Sequence, residues 1–279
     1  MLAPWLALPG ARSDVEAWSS AAGLDLMHLG THADAAQIRD TAIAQPLLAA
    51  AAMLSARALD VTPGGVCGHS VGELAVLAIA GVLEPAAAVW LAAERGRAMA
   101  EAAEVRPTGM AAVLGGDADE VWSLITALGL EVATMNVAGQ VVVGGPAETI
   151  VVLAAAPPSG ARVRMLATAG AFHTSAMSSA VPRLTELVAG LTPGEPRCPV
   201  VANADGEIVT SGRELLDRLV VQLTGPVRFD RCLQTIAGLG PTTVVELAPG
   251  GTLGAIAKRS LVGVPVIALT TPSDLPVAV

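Results

Sequence analysis

Apolar and polar positions along the chain fall into blocks that read as helices separated by short apolar strands. Ala33 to Ala58 reads as helix, with a Thr41 to Gln45 stretch, then Pro46, then the alanine-rich run Leu47 to Leu59; Thr62-Pro63-Gly64-Gly65 is a turn. A very short apolar strand, Val66-Cys67, enters Gly68-His69-Ser70-Val71-Gly72, after which Glu73 to Ala80 has helical composition. Pro85 opens another helix, where its missing N–H does no harm. That helix runs through Arg95 to about Glu104, and Arg106-Pro107-Thr108-Gly109 breaks it.

From Met110 the blocks shorten. Met110 to Leu114 predicts a strand, Asp117 to Leu128 a helix, Glu131 to Met135 and Gln140 to Gly144 strands, Ala147 to Ala156 a helix and Val163 to Leu166 a strand. This β-α-β-β-α-β order describes a ferredoxin-like insert. Helices at Ser175 to Leu191, Glu214 to Gln222, Phe229 to Leu239 and Thr252 to Arg259, with strands at Val200 to Ala202 and Thr243 to Leu247, then return to α/β alternation. The expected architecture is therefore α/β: a parallel-sheet, hydrolase-like catalytic domain, residues 1–106 and 170–279, interrupted by a ferredoxin-like subdomain, residues 107–169. The tail beyond Thr271 is expected to be loosely held.

Composition narrows the functions open to such a fold. The 279 residues are 53% hydrophobic but only 2% aromatic, so small side chains must fill the interior. Net charge is -9 and the sole lysine is Lys258, which leaves no basic block for nucleic acid. Cys67, Cys198 and Cys232 are far apart and without C-x-x-C spacing, so neither a disulfide framework nor a zinc site is indicated, and a cytoplasmic setting is expected. The apolar start has no positive n-region and carries Pro4 and Pro9, unlike a signal peptide. The most hydropathic window, Leu74 to Ala93, holds Gly81, Glu84 and Pro85 at its centre; a central acid costs about 3 kcal/mol in a bilayer, so no membrane span is expected.

The chemistry concentrates at Gly68-His69-Ser70-Val71-Gly72. A serine flanked by glycines two residues away on each side can sit on a strained strand-to-helix turn, its hydroxyl pushed into a cleft. The helix that follows presents free N–H groups and a positive dipole end, so the Val71 amide can hold an oxyanion formed when Ser70 attacks a carbonyl; such a donor is worth about 3 kcal/mol. A serine nucleophile needs a base, and the chain has four histidines. His28 and His32 are expected in a polar N-terminal loop and His69 adjoins the nucleophile itself, which leaves His173. Taken by residue type alone, a lone histidine such as His173 is more often structural than catalytic, Arg95 reads as a solvated helix position or a partner for neighbouring charges, and Phe172 fits core packing equally well.

The hexapeptide Gly68-His69-Ser70-Val71-Gly72-Glu73 resembles the nucleophile motif of the malonyl-CoA:acyl carrier protein transacylases and the related acyltransferase domains of polyketide synthases. The resemblance extends in order through Ala80-Gly81-Val82, Glu94-Arg95-Gly96, Gly109-Met110-Ala111-Ala112-Val113, Asn136, Gly139-Gln140-Val141-Val142, Gly170-Ala171-Phe172-His173-Thr174 and Gln222-Leu223. It covers about residues 2 to 271.

What the resemblance implies is specific. Ser70 and His173 form a dyad whose imidazole is oriented by the main-chain carbonyl of Gln222 in place of a triad aspartate. Arg95 grips the free carboxylate of malonyl, a task that suits a guanidinium fork. Phe172 limits room for an α-methyl on the acyl group, while His69 and Asn136 are carried over as substrate-side residues, with Gln140 nearby. The implied activity is ping-pong transfer of malonyl from malonyl-CoA to the phosphopantetheine thiol of acyl carrier protein through a malonyl-serine ester, without metal or redox cofactor, by a monomer. Docking an acidic carrier protein calls for a local basic face, with Arg162, Arg164, Arg228, Arg231, Lys258 and Arg259 as candidates. Family members begin with a strand and a Gly-Gln-Gly-x-Gln loop whose glutamine completes the oxyanion hole, and Met1-Leu2-Ala3-Pro4-Trp5 matches the segment just after it. The expectation is a truncated start or a weakened catalyst. Other acyl-CoA donors, a serine thioesterase and an inactive carrier-protein binder are the alternatives.

Overall fold

Ahead of the first strand, the computed structural model, which describes residues 1–276, is helical. A 3-10 turn at Ala3–Ala7 leads into α1 (Ala11–Ala22), α2 (Leu26–His32) and α3 (Thr41–Leu59). Helix α1 buries Ala11, Val15, Trp18 and Ala22, spaced at i, i+4, i+7 and i+11, and stops at Gly23, whose φ of +64° a side chain would resist. Asp25 caps α2 by accepting from the His28 N–H, so His28 and His32 sit one turn apart on a helix, their rings stacked with centroids 5.0 Å apart, rather than in a polar loop.

The expected helix from Ala33 also starts later. Asp34 accepts from the N–H groups of Ala36 and Gln37, a local turn that competes with helix, and Asp40 then caps α3 through the Ala42 N–H. Helix α3 is long and apolar enough to cross a membrane, whereas the Leu74 to Ala93 window is split between two helices. Half of its apolar window is buried inside the molecule, as in a core helix.

Strand β1 (Val66–Cys67) turns directly into α4 (Gly72–Ile79), and α5 (Pro85–Glu104) follows. A Cβ on Gly96 would overlap the Thr41 carbonyl, so this glycine lets α5 lie hard against the start of α3. The contact brings Gln45 of α3 beside Arg95 of α5.

The next elements are β2 (Thr108–Gly115), α6 (Ala118–Ala127), β3 (Glu131–Val137), β4 (Gln140–Pro146), α7 (Ala147–Ala155) and β5 (Ala161–Leu166). Their four strands form one antiparallel sheet in the order β3-β4-β2-β5. One face packs Ala111, Val113 and Val143 against Val121, Ile125, Ile150 and Leu153 of the two helices; the other carries Met110, Ala112, Ala133 and Val142 against Phe172. Alternation along each strand divides the residues between the two faces.

Beyond the sheet, Ser175–Ala180 is 3-10 and α8 (Val181–Ala189) begins only there, with Pro182 in its first turn, so the single helix expected from Ser175 is two segments. The remaining elements are β6 (Val200–Val201), β7 (Ile208–Val209), α9 (Gly212–Val221), α10 (Phe229–Gly238), β8 (Val244–Glu246), α11 (Thr252–Ser260) and β9 (Val266–Ala268). Strand β1 pairs parallel with β6, but β7 runs antiparallel to β6, and β8 and β9 pair parallel in a sheet of their own. The expectation of one parallel sheet is corrected accordingly: β7 is a short return from β6 after the Gly206 turn, where φ is +79°. Of the tail expected to be loose, Pro272–Asp274 forms a 3-10 turn held by the Asp274 carboxylate, while 277–279 lie outside the described residues.

Candidate active site

The two-residue β1 and the immediate start of α4 confine the chain reversal to Gly68–Val71. Ser70 takes φ +53°, a left-handed conformation that costs a non-glycine residue on the order of 1 kcal/mol or more. Gly68 makes the turn possible, since a Cβ there would overlap the backbone of Gly72 and Glu73. Val71 caps α4, and among the described residues its N–H donates to nothing, leaving one helix-start donor free beside the hydroxyl.

His173 is brought to this elbow from the loop between β5 and α8 and also holds a left-handed φ, +62°. The Ser70 hydroxyl lies 2.6 Å from His173 Nε2. His173 Nδ1 is 2.8 Å from the Gln222 carbonyl, which can only accept, so Nδ1 carries the proton and Nε2 is left to accept from Ser70. Burial, and then the charge of Arg95, lower the imidazole pKa to about 3 against the opposing effect of the Gln222 carbonyl. The ring is therefore neutral at physiological pH, the state a general base requires.

Arg95 is only 1% exposed, so it is not the solvated helix side chain that spacing alone allows. Its surface neighbour Glu94 pairs instead with Arg97 and, at 2.7 Å, with Arg183. Arg95 Nη1 donates to Gln45 Oε1 at 2.6 Å and Nη2 to Gln222 Oε1 at 2.7 Å, with Nη2 3.4 Å from Ser70 Oγ. Its Nε finds no acceptor among the described residues. Burial lowers the guanidinium pKa to about 10, with Glu73 opposing, so the charge persists. A buried cation whose direct partners are neutral amides, beside a serine hydroxyl, can attract and orient a carboxylate.

The acid whose charge acts on this cation is Glu73, one residue past the elbow's second glycine. Its carboxylate accepts from the Asn203 N–H at 2.7 Å and from Gln222 Nε2 at 2.5 Å. Burial dominates its titration and lifts the pKa to about 7, although the Asn203 hydrogen bond and the charge of Arg95 pull the other way.

Other candidates separate into those at the centre and those around it. His69 donates through Nε2 to Asn136 Oδ1 at 3.0 Å and meets the Phe229 ring edge-on, so His69 and Asn136 form one pair rather than two independent contacts. Phe172 packs against both the main core and one face of the four-stranded sheet. Gln140 accepts from Arg259 at 3.1 Å. The register aligns Gln140, Leu114 and Arg162 in one row, and Val142, Ala112 and Arg164 in the next. Arg162 and Arg164 therefore point to the sheet face that carries Phe172, with Arg259 at the same end. Arg228 is ion-paired with Asp230 at 2.8 Å, while Arg231 and Lys258 are exposed on α10 and α11.

Three residues at the centre carried no assigned role in the sequence. Glu73 stood only as the last letter of the nucleophile motif. Gln45 had a faint signal, a polar pair with Thr41 one turn apart in the otherwise apolar first half of α3. Asn203 had none: it follows Val200-Val201-Ala202 and is 1% exposed.

Comparison with known proteins agrees with this geometry. The acyl transferase domain model matches residues 11–270. The malonyl CoA-acyl carrier protein transacylase of Mycobacterium tuberculosis is 48% identical across 99% of this chain and 93% of its own length, and that of Escherichia coli K12 is 32% identical across 93% and 87%. The crystal structure of the transacylase from Mycobacterium tuberculosis superposes with a TM-score of 0.95 over 98% of this chain and 93% of that one. A malonyl-transacylase solved in complex with a type II polyketide acyl carrier protein superposes at 0.93, with 28% identity over 99% and 93%. The chain belongs to the acyl transferase family.

Proposed function

We propose that this chain transfers a malonyl group from malonyl-CoA to the phosphopantetheine thiol of an acyl carrier protein. Relatives bearing that activity in their names span nearly its whole length. The single observation that carries the reading is the 3.4 Å approach of Arg95 Nη2 to Ser70 Oγ, because it holds a buried cation beside the nucleophile, where the carboxylate of a short acyl group attached to Ser70 can fold back to meet it. Malonyl, whose carboxylate lies two bonds from the thioester carbon, suits that spacing.

In this scheme Ser70 attacks the thioester carbonyl and gives its proton to His173 Nε2, while the Val71 N–H faces the oxyanion. The C–S bond breaks, the imidazolium returns the proton to the coenzyme A sulfur, and a malonyl-Ser70 ester remains with its carboxylate on Arg95. The carrier thiol then loses its proton to His173, attacks the ester and leaves Ser70 reprotonated. No cofactor enters beyond the thioester itself. Phe172 beside the base narrows the acyl pocket, and the His69–Asn136 pair forms its wall.

The strand order supports reading residues 107–169 as a ferredoxin-like subdomain set between residues 1–106 and 170–279 of a hydrolase-like domain. Arg162, Arg164 and Arg259, gathered on the side of the sheet that bears Phe172, suit an acidic carrier protein. A cytoplasmic monomer with free thiols completes the picture.

Intact-mass measurement after brief incubation with malonyl-CoA tests the proposal. One malonyl adduct is expected on the wild type, none on Ser70→Ala, and far slower labelling from acetyl-CoA. An adduct that survives Ser70→Ala, or equal labelling by the two thioesters, overturns it.

A further inference from the structure

Ser70 keeps a left-handed backbone without being glycine, so something must hold it there. The elbow's own glycines permit the turn but do not enforce it. A single buried side chain spans it. Asn203 Oδ1 accepts from the Ser70 N–H at 2.7 Å, and Asn203 Nδ2 donates to the Gly68 carbonyl at 2.7 Å. The amide thus bridges the first and third residues of the turn from outside, as a neighbouring strand would.

Register explains how it reaches them. Cys67 pairs with Val201, so the chain leaving β6 runs level with the elbow leaving β1 and brings Asn203 alongside it. The orientation of the amide is fixed, since a main-chain N–H must meet the oxygen and a carbonyl must meet the nitrogen. Every polar group of the residue is engaged: its N–H donates to Glu73, its carbonyl accepts from the Arg228 N–H at 2.7 Å, and Oδ1 also accepts from Gln222 Nε2 at 3.0 Å. The last contact reaches the residue whose carbonyl orients His173. The buried amide that holds the nucleophile therefore also holds the Gln222 side chain, and its own N–H is anchored by the Glu73 carboxylate.

We propose that Asn203 is a positioning residue for acyl transfer, holding Ser70 in the backbone conformation that aims its hydroxyl at His173 and leaves the Val71 N–H open for the oxyanion. It touches neither substrate nor reacting atoms. The proposal deepens the transacylase reading and rests on Ser70 as nucleophile.

Its test uses the full chain and two variants, Asn203→Ala and the isosteric Asn203→Asp, which keeps an acceptor for Ser70 but loses the donor to Gly68. Single-turnover acylation over a range of malonyl-CoA concentrations separates the maximal rate from half-saturation. Labelling by an alkyl fluorophosphonate reports Ser70 reactivity without any carboxylate. For folded Asn203→Ala, the maximal acylation rate should fall on the order of 100-fold, the loss typical of a displaced catalytic group. Half-saturation should stay within about 3-fold, with fluorophosphonate labelling falling in parallel and Asn203→Asp lying between. Wild-type rates per folded molecule in either variant, or failure of both to fold, would mean that Asn203 serves the fold and not the elbow, and would overturn the proposal. A wild type that ignores malonyl-CoA yet labels with fluorophosphonate in an Asn203-dependent way sinks the malonyl reading alone.

Discussion

Arg95 and Gln222 meet through a 2.7 Å hydrogen bond in which the guanidinium Nη2 donates to the side-chain oxygen, while the main-chain carbonyl of the same glutamine accepts from His173 Nδ1. One residue thus ties the carboxylate-binding charge to the base. The two ties are separable, because one uses the side chain and the other the backbone.

Gln222→Leu should therefore leave His173 oriented but release Arg95 and leave Glu73 short of a donor. Half-saturating malonyl-CoA is expected to rise about tenfold or more, with a smaller fall in maximal acylation rate, in line with about 1.5–3 kcal/mol for a hydrogen bond to a charged group. Steady-state kinetics with malonyl-CoA checks this; an equal loss with acetyl-CoA would show that the side chain acts through the base after all.

The pH profile carries a second expectation. With His173 held neutral down to about pH 3, its protonation should not slow acylation near the ordinary imidazole range. In Glu73→Gln, which removes the neighbouring group that titrates at about 7, single-turnover rates at saturating malonyl-CoA should stay level from about pH 5.5 to 8. An inflection near 6.5 would mean that the working site is wetter than this structure.

Glu73 makes stability depend on pH in the opposite sense to His173. Its folded pKa, about 7, lies above its ordinary value of 4.5, so the folded state holds the proton more tightly. The stabilisation is complete below pH 4.5 and is lost as pH rises through 7, whereas the lowered pKa of His173 makes stability fall as pH drops from 6.5 toward 3. Comparing wild type with Glu73→Gln cancels the histidine contribution. In urea unfolding, the wild type should lose on the order of 2 kcal/mol relative to the variant between pH 5 and 7.5. A constant difference across that range would show Glu73 ionised throughout.

Phe172→Ala should widen the pocket beside the base. Acylation by methylmalonyl-CoA relative to malonyl-CoA is expected to rise about tenfold, since one methyl group is worth about 1–3 kcal/mol. Because Phe172 also packs against Met110, Ala112 and Val142, some loss of thermal stability should accompany it. An unchanged ratio alongside lower stability would assign the ring to packing alone.

What could be read from the sequence was whatever chemistry is written locally. The elbow declares itself in six consecutive residues, and the alternation from Met110 to Leu166 marks four strands and two helices within a few residues of their ends. Helix α1 carries a legible signal in the spacing of Ala11, Val15, Trp18 and Ala22. Strands β7 and β9, of two and three residues, are too short to show a period. Arg95 could not be told from a surface arginine, because its burial comes from α3 pressing on α5 at Gly96, a contact between distant segments. Asn203 was silent for the same reason: its partners lie 133 and 135 residues away, and no local pattern encodes them.

Ser70 and His173 both occupy backbone conformations that glycine accepts freely and other residues resist. Evolution has thus placed the two most consequential side chains at positions where the polypeptide would rather have none. In a mutant library propagated for yield or heat tolerance, with no demand for turnover, glycine should become enriched at both sites while the rest of the molecule stays recognisable. The survivors would be well-behaved, long-lived and inert, and a homologue found in nature with glycine at either position would bear the mark of a lineage released from making product.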